Sequence, residues 1–332
     1  MKVFISHTSA YEFWKQTTLL PSGDVAMPKE MPYVTNAAVE QIYNHGFNRQ
    51  SRISITVSKP NVKSKNKNVK FHVNQKAPTR NKYIKLDENV AISSPETCFY
   101  ELAGILTKTQ LIYAAYTLCG NFAICKGELK ERPCVTDVRR IKRYLLTIKD
   151  SRRRAKALSA LRYVSDGSRS PMESFAAMAF CIPRKLGGYR IELPKMNYRI
   201  EAGSKSMVMR KFFLCDLYWP RARVAVEYDS NDFHFSGEKL QLDAARRSGL
   251  ALCKVQTLVL TSRQLFSLGF FDECARALGA SLGKRIPANV HKFICSRHDL
   301  LDFFRIELAN NFGSHPSPDD RPPHGHGHYR SA

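Results

Sequence analysis

The sequence predicts a fold of the α/β (α+β) class, because strand patterns and helix patterns alternate along most of its 332 residues. The clearest strands are residues 212–219, which are aromatic and aliphatic, and residues 222–228, which are rich in Val and Ala. A separate set of strand and helix patterns comes earlier in the chain. We therefore expect a mixed sheet flanked by helices, with a second, smaller N-terminal α+β domain.

Residues 1–130 form the predicted N-terminal domain. The spacing of apolar residues from Ala37 to His45 predicts a short helix. Three short runs in this region have the composition or the alternation of strands. They are residues 52–57, 69–73 and 89–92.

Two helical segments are predicted after these strands. Ser94 followed by Pro95 marks a helix start, since Ser caps a helix and Pro suits its first position, and this helix continues over 98–106. Residues 131–165 form a basic helical connector. One face of the connector is apolar and contains Val138, Ile141, Leu145 and Ile148.

The C-terminal half divides into three predicted parts. Residues 166–275 have the order helix, strand, hairpin, helix and strand, and residues 276–312 form a helical extension. The tail, 313–332, contains several Pro and three alternate His, a composition typical of disorder with at most loose metal binding.

Charge is the strongest compositional signal. The formal net charge is +23 and the pI is about 9.8, so a polyanion such as DNA, RNA or an anionic membrane surface is the expected partner. No run of about 18 apolar residues occurs, and the N-terminus turns polar too early for a signal peptide. The nine Cys are odd in number and scattered, which favours free thiols in a reducing cytoplasm.

Two basic clusters are candidate DNA-binding surfaces. Residues 59–85 contain nine Lys or Arg and no acidic residue, and the connector contains a second cluster. Such clusters bind phosphates, although a charge run can also be a solvated face. The candidate phosphate-binding residues are Lys63, Lys65, Lys67, Lys70, Arg139, Arg140 and Arg143.

The hairpin of the C-terminal half places carboxylates in register. If Pro220 and Arg221 form the whole loop, Asp216 pairs with Ala225, and Glu227 lies one diagonal step away on the same face. Two carboxylates about 7–8 Å apart at Cβ can hold one Mg²⁺ or Mn²⁺. A loop longer by one residue would put them on opposite faces.

This region resembles the core of the PD-(D/E)XK nuclease superfamily. It is most similar to uncharacterised bacterial domains related to the very-short-patch-repair endonuclease, over roughly residues 170–270. The matching pieces, in chain order, are Ser170-Pro171-Met172-Glu173, Asp216, Glu227, Asp229, His234, Asp243-Ala244-Ala245-Arg246-Arg247 and the apolar segment from Val255 to Leu260.

The resemblance implies a restriction-endonuclease-like fold and a metal-dependent endonuclease or nickase acting on DNA. The catalytic residues that it implies are Glu173, Asp216, Glu227, Asp229 and His234, with Asp216 and Glu227 as metal ligands. Ser170-x-x-Glu173 is also a helix capping box, so Glu173 is a cap, a catalytic support or both. His234 suits general acid or base chemistry.

Two basic residues of the following helix complete the implied site. Arg246 is expected to contact a phosphate, with Asp243 orienting it or pairing with it. The superfamily's usual Lys is Asp229 here, and Lys239 could replace its charge. The Gly that commonly precedes the last strand in the relatives is Lys254.

A second resemblance suggests an alternative function. Residues 92–103 are similar to a helix of abortive-infection antitoxin-type regulators, although their winged-helix reader is not evident. The alternative is therefore a DNA-binding regulator or antitoxin-type protein with an inactive nuclease-like domain. The sequence leaves a homodimer open.

Overall fold

The computed structural model describes nine ranges of the chain: residues 3–21, 23–26, 34–58, 66–73, 82–149, 151–202, 211–229, 237–288 and 290–313. Within them, helices and mixed sheets form an α+β fold, which confirms the predicted class. The predicted disordered tail lies outside the described residues except for its first residue, Gly313.

The N-terminal region contains a six-stranded mixed sheet. Its strands are β1 (Val3–Ile5), β2 (Asp24–Ala26), β3 (Ile53–Val57), β4 (Val69–Val73), β5 (Lys82–Lys85) and β6 (Val90–Ser93). Their order in the sheet is β2-β5-β6-β1-β3-β4. Three of these strands, β3, β4 and β6, are the ones that the sequence predicts.

Four helices accompany this sheet: α1 (His7–Gln16), α2 (Asn36–Tyr43), α3 (Pro95–Leu102) and α4 (Lys108–Cys119). The predicted start of α3 is confirmed, because the Ser94 hydroxyl accepts a hydrogen bond from the Thr97 amide at 3.3 Å. A two-stranded hairpin follows, with β7 (Phe122–Cys125) and β8 (Glu128–Glu131).

The basic connector consists of two helices, α5 (Val138–Thr147) and α6 (Arg152–Leu161). The break between them is reinforced by Ser151, whose hydroxyl accepts a hydrogen bond from the Arg154 amide at 3.1 Å. Ile141 and Leu145 of the expected apolar face are fully buried.

The C-terminal region contains a four-stranded mixed sheet of order β12-β11-β10-β9. The strands are β9 (Lys195–Glu201), β10 (Phe212–Trp219), β11 (Val224–Asp229) and β12 (Gln256–Thr261). Neighbours are antiparallel except for β11 and β12, which are parallel. The helices are α7 (Pro171–Cys181), α8 (Gly237–Leu252), α9 (Ser262–Phe266), α10 (Leu268–Ser281) and α11 (His291–Phe312).

The turn between β10 and β11 has four residues, so the expected two-residue loop is wrong. Trp219 pairs with Val224, and Arg223 in the turn has a left-handed φ of 54°. The Arg223 side chain donates hydrogen bonds to the carbonyls of Cys253 and Lys254, which ties the turn to the start of β12. The observed register differs from the expected one by two residues. Since side chains alternate between the two faces with a period of two, Asp216 and Glu227 still lie on the same face, as expected.

One hydrophobic core joins the two regions. It extends from Val3 and Ile55 of the N-terminal sheet to Trp219 of the C-terminal sheet and Phe304 of α11. In the described part of the chain, no helix is both long and apolar enough to span a membrane.

Candidate active site

Three carboxylates meet where the first turn of α7 approaches β10 and β11. Leu217 pairs with Val226, and continuing this register by one residue places Asp216 opposite Glu227. Opposite residues in an antiparallel pair have Cβ atoms about 4.5–5.5 Å apart, which is closer than the expected diagonal step. Asp216 also repels Glu173, so it acts on both of the other carboxylates.

Asp216 is held in place by the backbone of the neighbouring strand. Its Oδ2 accepts a hydrogen bond from the Tyr228 amide at 2.8 Å. Burial raises the pKa of Asp216, while the Tyr228 amide and the charges of Arg246 and Arg169 oppose that rise. The carboxylate is therefore costly to ionise unless positive charge is near.

Glu227 is a largely buried carboxylate whose two oxygens are engaged unequally. Its Oε2 accepts a hydrogen bond from Nη2 of Arg246 at 2.5 Å, whereas its Oε1 is buried without a nitrogen or oxygen donor. Burial raises the pKa of Glu227 to about 7 and repulsion from Asp216 adds to the rise, while Arg246 and a hydrogen bond with the Cys215 thiol oppose it. A thiol is a weak donor, so the buried oxygen can still accept from a cation or a stronger donor.

Glu173 lies in the first turn of α7 and belongs to the carboxylate group. Its amide donates to the Ser170 hydroxyl at 3.1 Å, which confirms Ser170 as the N-cap. The expected capping box is only half formed, because the Glu173 side chain bonds the Arg169 amide and not that of Ser170. Its Oε2 accepts from the Arg169 amide at 2.9 Å and from Nδ2 of Asn197 at 2.6 Å. Burial raises the pKa of Glu173 to about 7, with Asp216 the second cause.

Asn197 is a site residue that the sequence did not indicate. It lies in β9 with a left-handed φ of 45°, and the β9–β10 register places it opposite Asp216. Its Nδ2 binds Glu173 and also the Gly167 carbonyl, at 3.0 Å. Asn197 can be recognised as a site residue only when the register of β9, β10 and β11 is known.

The other predicted site residues are distributed around this group. Asp229 lies at the end of β11, where it pairs with Thr261 of β12. Arg246 binds Glu227 and the Leu214 carbonyl, so its guanidinium is engaged inside the protein. His234 and the side chains of Lys239 and Asp243 lie outside the described part of the structure.

The two basic clusters approach each other at one edge of the N-terminal sheet. Lys67 and Lys70 are exposed on and beside β4, which is the edge strand. Burial lowers the pKa of His72 in the same strand to about 4, and Lys70 and Arg153 of α6 lower it further. Arg139, Arg140 and Arg143 are exposed on α5, whereas Lys63 and Lys65 lie outside the described residues.

The donor set of the site suits a hard divalent cation. Among the described residues, no three or more His, Cys, Asp and Glu side chains are grouped so as to hold a metal ion. Mg²⁺, however, commonly uses one or two carboxylates together with water and substrate phosphates. Asp216 and Glu227 supply such oxygens, and the buried Oε1 of Glu227, which has no nitrogen or oxygen donor, fits the same requirement.

Comparisons with known proteins identified no relative. No family model, no curated protein and no solved structure matches this chain.

Proposed function

We propose that this chain is a metal-dependent DNA endonuclease or nickase that hydrolyses phosphodiester bonds. The observation that carries the proposal is the buried Oε1 of Glu227, which has no nitrogen or oxygen donor and lies in a carboxylate pair with Asp216. Asp216 repels both Glu173 and Glu227, and the Arg246 guanidinium is already engaged by Glu227. Close carboxylates of this kind favour a cation beside them, because it relieves their repulsion.

Asp216 and Glu227 would hold Mg²⁺ or Mn²⁺, which supplies a Lewis acid and a water activated for attack on phosphorus. Glu173, with a pKa of about 7, can hold or release a proton at its carboxylate near neutral pH. Asn197 positions Glu173 through its hydrogen bond to Oε2. Conversion of supercoiled plasmid to nicked or linear DNA in the presence of either metal tests the proposal.

A specific observation favours the second candidate, a DNA-binding regulator with an inactive domain. Arg246 already neutralises Glu227 at 2.5 Å, and Asp229 stands where the nuclease superfamily has Lys. An ion pair of this kind could replace the metal as a structural element. In that case DNA binding without cleavage would be the whole activity.

We also propose that the protein acts in the cytoplasm. All nine cysteines are free thiols, and Cys98, Cys119, Cys181 and Cys215 are buried. Buried free cysteines are typical of reducing compartments.

DNA affinity should fall steeply with salt if the basic clusters bind phosphates. Each phosphate neutralised contributes about −0.9 to the slope of log K against log salt. Replacing Arg139, Arg140 or Arg143 singly by Gln should therefore make the slope shallower by about one. Fluorescence anisotropy with duplex DNA measures this, and Arg285→Gln, an exposed residue after α10, serves as the control. If the affinity of the wild type for DNA does not change with salt, the basic clusters do not bind phosphates.

Mg²⁺ should raise the thermal stability of the protein at pH 8. There most of the Glu227 carboxylate is ionised, and a bound ion adds about 2.7 kcal/mol at one hundred times its Kd. Differential scanning fluorimetry should show an increase in Tm of a few degrees that shrinks below pH 7, as protons compete. Asp216→Asn should remove the increase, and Glu273→Gln on α10 should preserve it. An equal increase in all three proteins would place the ion elsewhere.

A further inference from the structure

A cleft of about 640 Å³ runs along one side of α1. Its walls are α1, the segment 45–53 before and at the start of β3, and Asn310 of α11. Small-molecule sites have volumes of about 300–1,000 Å³, so the cleft is large enough for a ligand. The residues of the proposed nuclease site do not line it.

One end of the cleft offers flat aromatic faces. Phe13 of α1 and Phe47 both line it, with ring centroids 6.0 Å apart and planes inclined by 16°. Both side chains are half-buried and pack against the main core, which fixes their orientation. A planar ring is the ligand group that stacks on such faces.

The other end of the cleft contains charges of both signs. Glu12 and the exposed Arg52 both line the cleft, and Glu12 is engaged by Lys15, whose Nζ lies 2.6 Å from its Oε2, which leaves Arg52 to attract an anion. Thr8 and Ser9 lie in the first turn of α1, where the His7 amide already donates to Oε2 of Glu101 at 3.0 Å. Ser54 shares a 3.1 Å hydrogen bond with the Thr8 hydroxyl, and its amide donates to the Ser9 hydroxyl at 2.9 Å. These bonds bring the exposed Arg52, two residues before Ser54, to the same end of the cleft.

Amide side chains lie near the aromatic end. Gln16, Asn48 and Asn310 line the cleft, and each has both a donor and an acceptor. Such groups can pair with the ring nitrogens and oxygens of a heterocycle. From Thr8 to Gln16 the helix rises about 12 Å, which leaves room for a planar base at one end and a phosphate at the other.

We propose that this cleft binds a nucleotide unit. The base stacks on Phe13 and Phe47, and the phosphate binds Arg52 beside Thr8. A free mononucleotide and the phosphorylated end of a strand share this chemistry. The strong positive charge of the chain attracts either of them. The proposal is independent of the nuclease site.

The test is isothermal titration calorimetry of the full chain with the monophosphates of adenosine, guanosine, cytidine and uridine. EDTA in the buffer removes any contribution from a metal at the carboxylates. We expect at least one monophosphate to bind. Phe47→Ala should weaken its binding about 5- to 100-fold through lost stacking, and Arg52→Gln should weaken it about tenfold or more. Arg49→Gln is the matched control, because Arg49 is exposed in the same segment but binds Glu40.

A competition experiment distinguishes a free nucleotide from the end of a strand. If a terminally phosphorylated oligonucleotide competes with the mononucleotide, the cleft binds a strand end, and if it does not compete, the cleft binds a free nucleotide. Because Arg52 is exposed, its variant stays informative even if Phe47→Ala unfolds, which circular dichroism would show. The proposal is overturned if no monophosphate binds at millimolar concentration. It is also overturned if Arg52→Gln binds as tightly as the wild type, or if inorganic phosphate binds equally well.

Discussion

Asp216→Asn is expected to abolish metal-dependent DNA cleavage while DNA binding persists. The amide keeps the shape of the side chain, and its oxygen can still accept the hydrogen bond from the Tyr228 amide. What it loses is the charge and one hard oxygen ligand. We expect the rate to fall by at least about 10²- to 10³-fold, the scale for removing one group that stabilises a transition state electrostatically.

Nicking of supercoiled plasmid measures the rate, and fluorescence anisotropy in EDTA measures binding. Burial is the main cause of the raised pKa of Glu227, and repulsion from Asp216 adds to it. Asp216→Asn removes that repulsion and makes Glu227 easier to ionise, so protonation of Glu227 would not explain a loss of cleavage. Asp299→Asn, an exposed residue of α11, is the matched control and should cut like the wild type.

The opposite result would favour the regulator hypothesis. If the wild type binds DNA but cuts none with any divalent metal, and if Asp216→Asn changes nothing, the carboxylates have a structural role. The ion pair between Arg246 and Glu227 would then stabilise the fold by itself, and no metal would bind there.

Much of the hairpin could be predicted from sequence because its signal is local. The aromatic run before Pro220 and the Val-rich run after it have the composition of strands, and both strands form. The loop length was wrong because it depends on a distant contact, that of Arg223 with residues 253 and 254. The error happened to equal two residues, so the alternation of the strands was unaffected.

The surroundings of the carboxylates could not be predicted in the same way. The hydrogen bond between Asn197 and Glu173 joins residues 24 positions apart and needs a left-handed backbone at a non-glycine residue. Lys254 has the same kind of conformation, with φ 56°, at the position where the resembling domains commonly have Gly. The conformation of Lys254 belongs to the C-terminal cap of α8, where the Val255 amide donates to the Leu250 carbonyl at 2.9 Å and a left-handed residue is usual. That of Asn197 lies inside a strand, where propensity does not predict it.

The N-terminal sheet contains a polar centre that the sequence also did not indicate. Glu101 of α3 is buried, and its Oε2 accepts from the His7 amide at 3.0 Å and from the Ser93 hydroxyl at 2.8 Å. The His7 ring stacks on His72, with centroids 3.5 Å apart. The members of this group lie up to 94 residues apart, so only the fold brings them together.

Glu101→Gln should remove a large part of the pH dependence of stability. Burial raises the pKa of Glu101 to about 7 from its ordinary value of 4.5, and its Oε1 has no partner. His7 and His72 cannot compensate its charge near neutral pH, because burial lowers their pKa values to about 3 and about 4. The wild type must therefore ionise a buried carboxyl as the pH rises, and the hydrogen bonds from His7 and Ser93 and the charge of Arg153 offset only part of the effect of burial.

The sign follows from the raised pKa. The unfolded chain ionises near pH 4.5 and the folded chain near pH 7, so the stabilisation is complete below pH 4.5 and is lost as the pH rises through 7. The loss is about 3 kcal/mol. Gln remains neutral, and its oxygen can still accept from the His7 amide, so Glu101→Gln should keep this stability at pH 8.

Urea unfolding of both proteins at several pH values between 4.5 and 8 measures the difference. His7 and His72 are present in both proteins, so their own titration largely cancels. The free energy of unfolding of Glu101→Gln, relative to the wild type, should increase by about 3 kcal/mol across this range. Glu128→Gln, an exposed residue of β8, should follow the wild type at every pH. If the curves of Glu101→Gln and the wild type are parallel, Glu101 is already ionised in the folded protein at low pH. The hydrogen bonds from His7 and Ser93 and the charge of Arg153 would then offset the whole effect of burial.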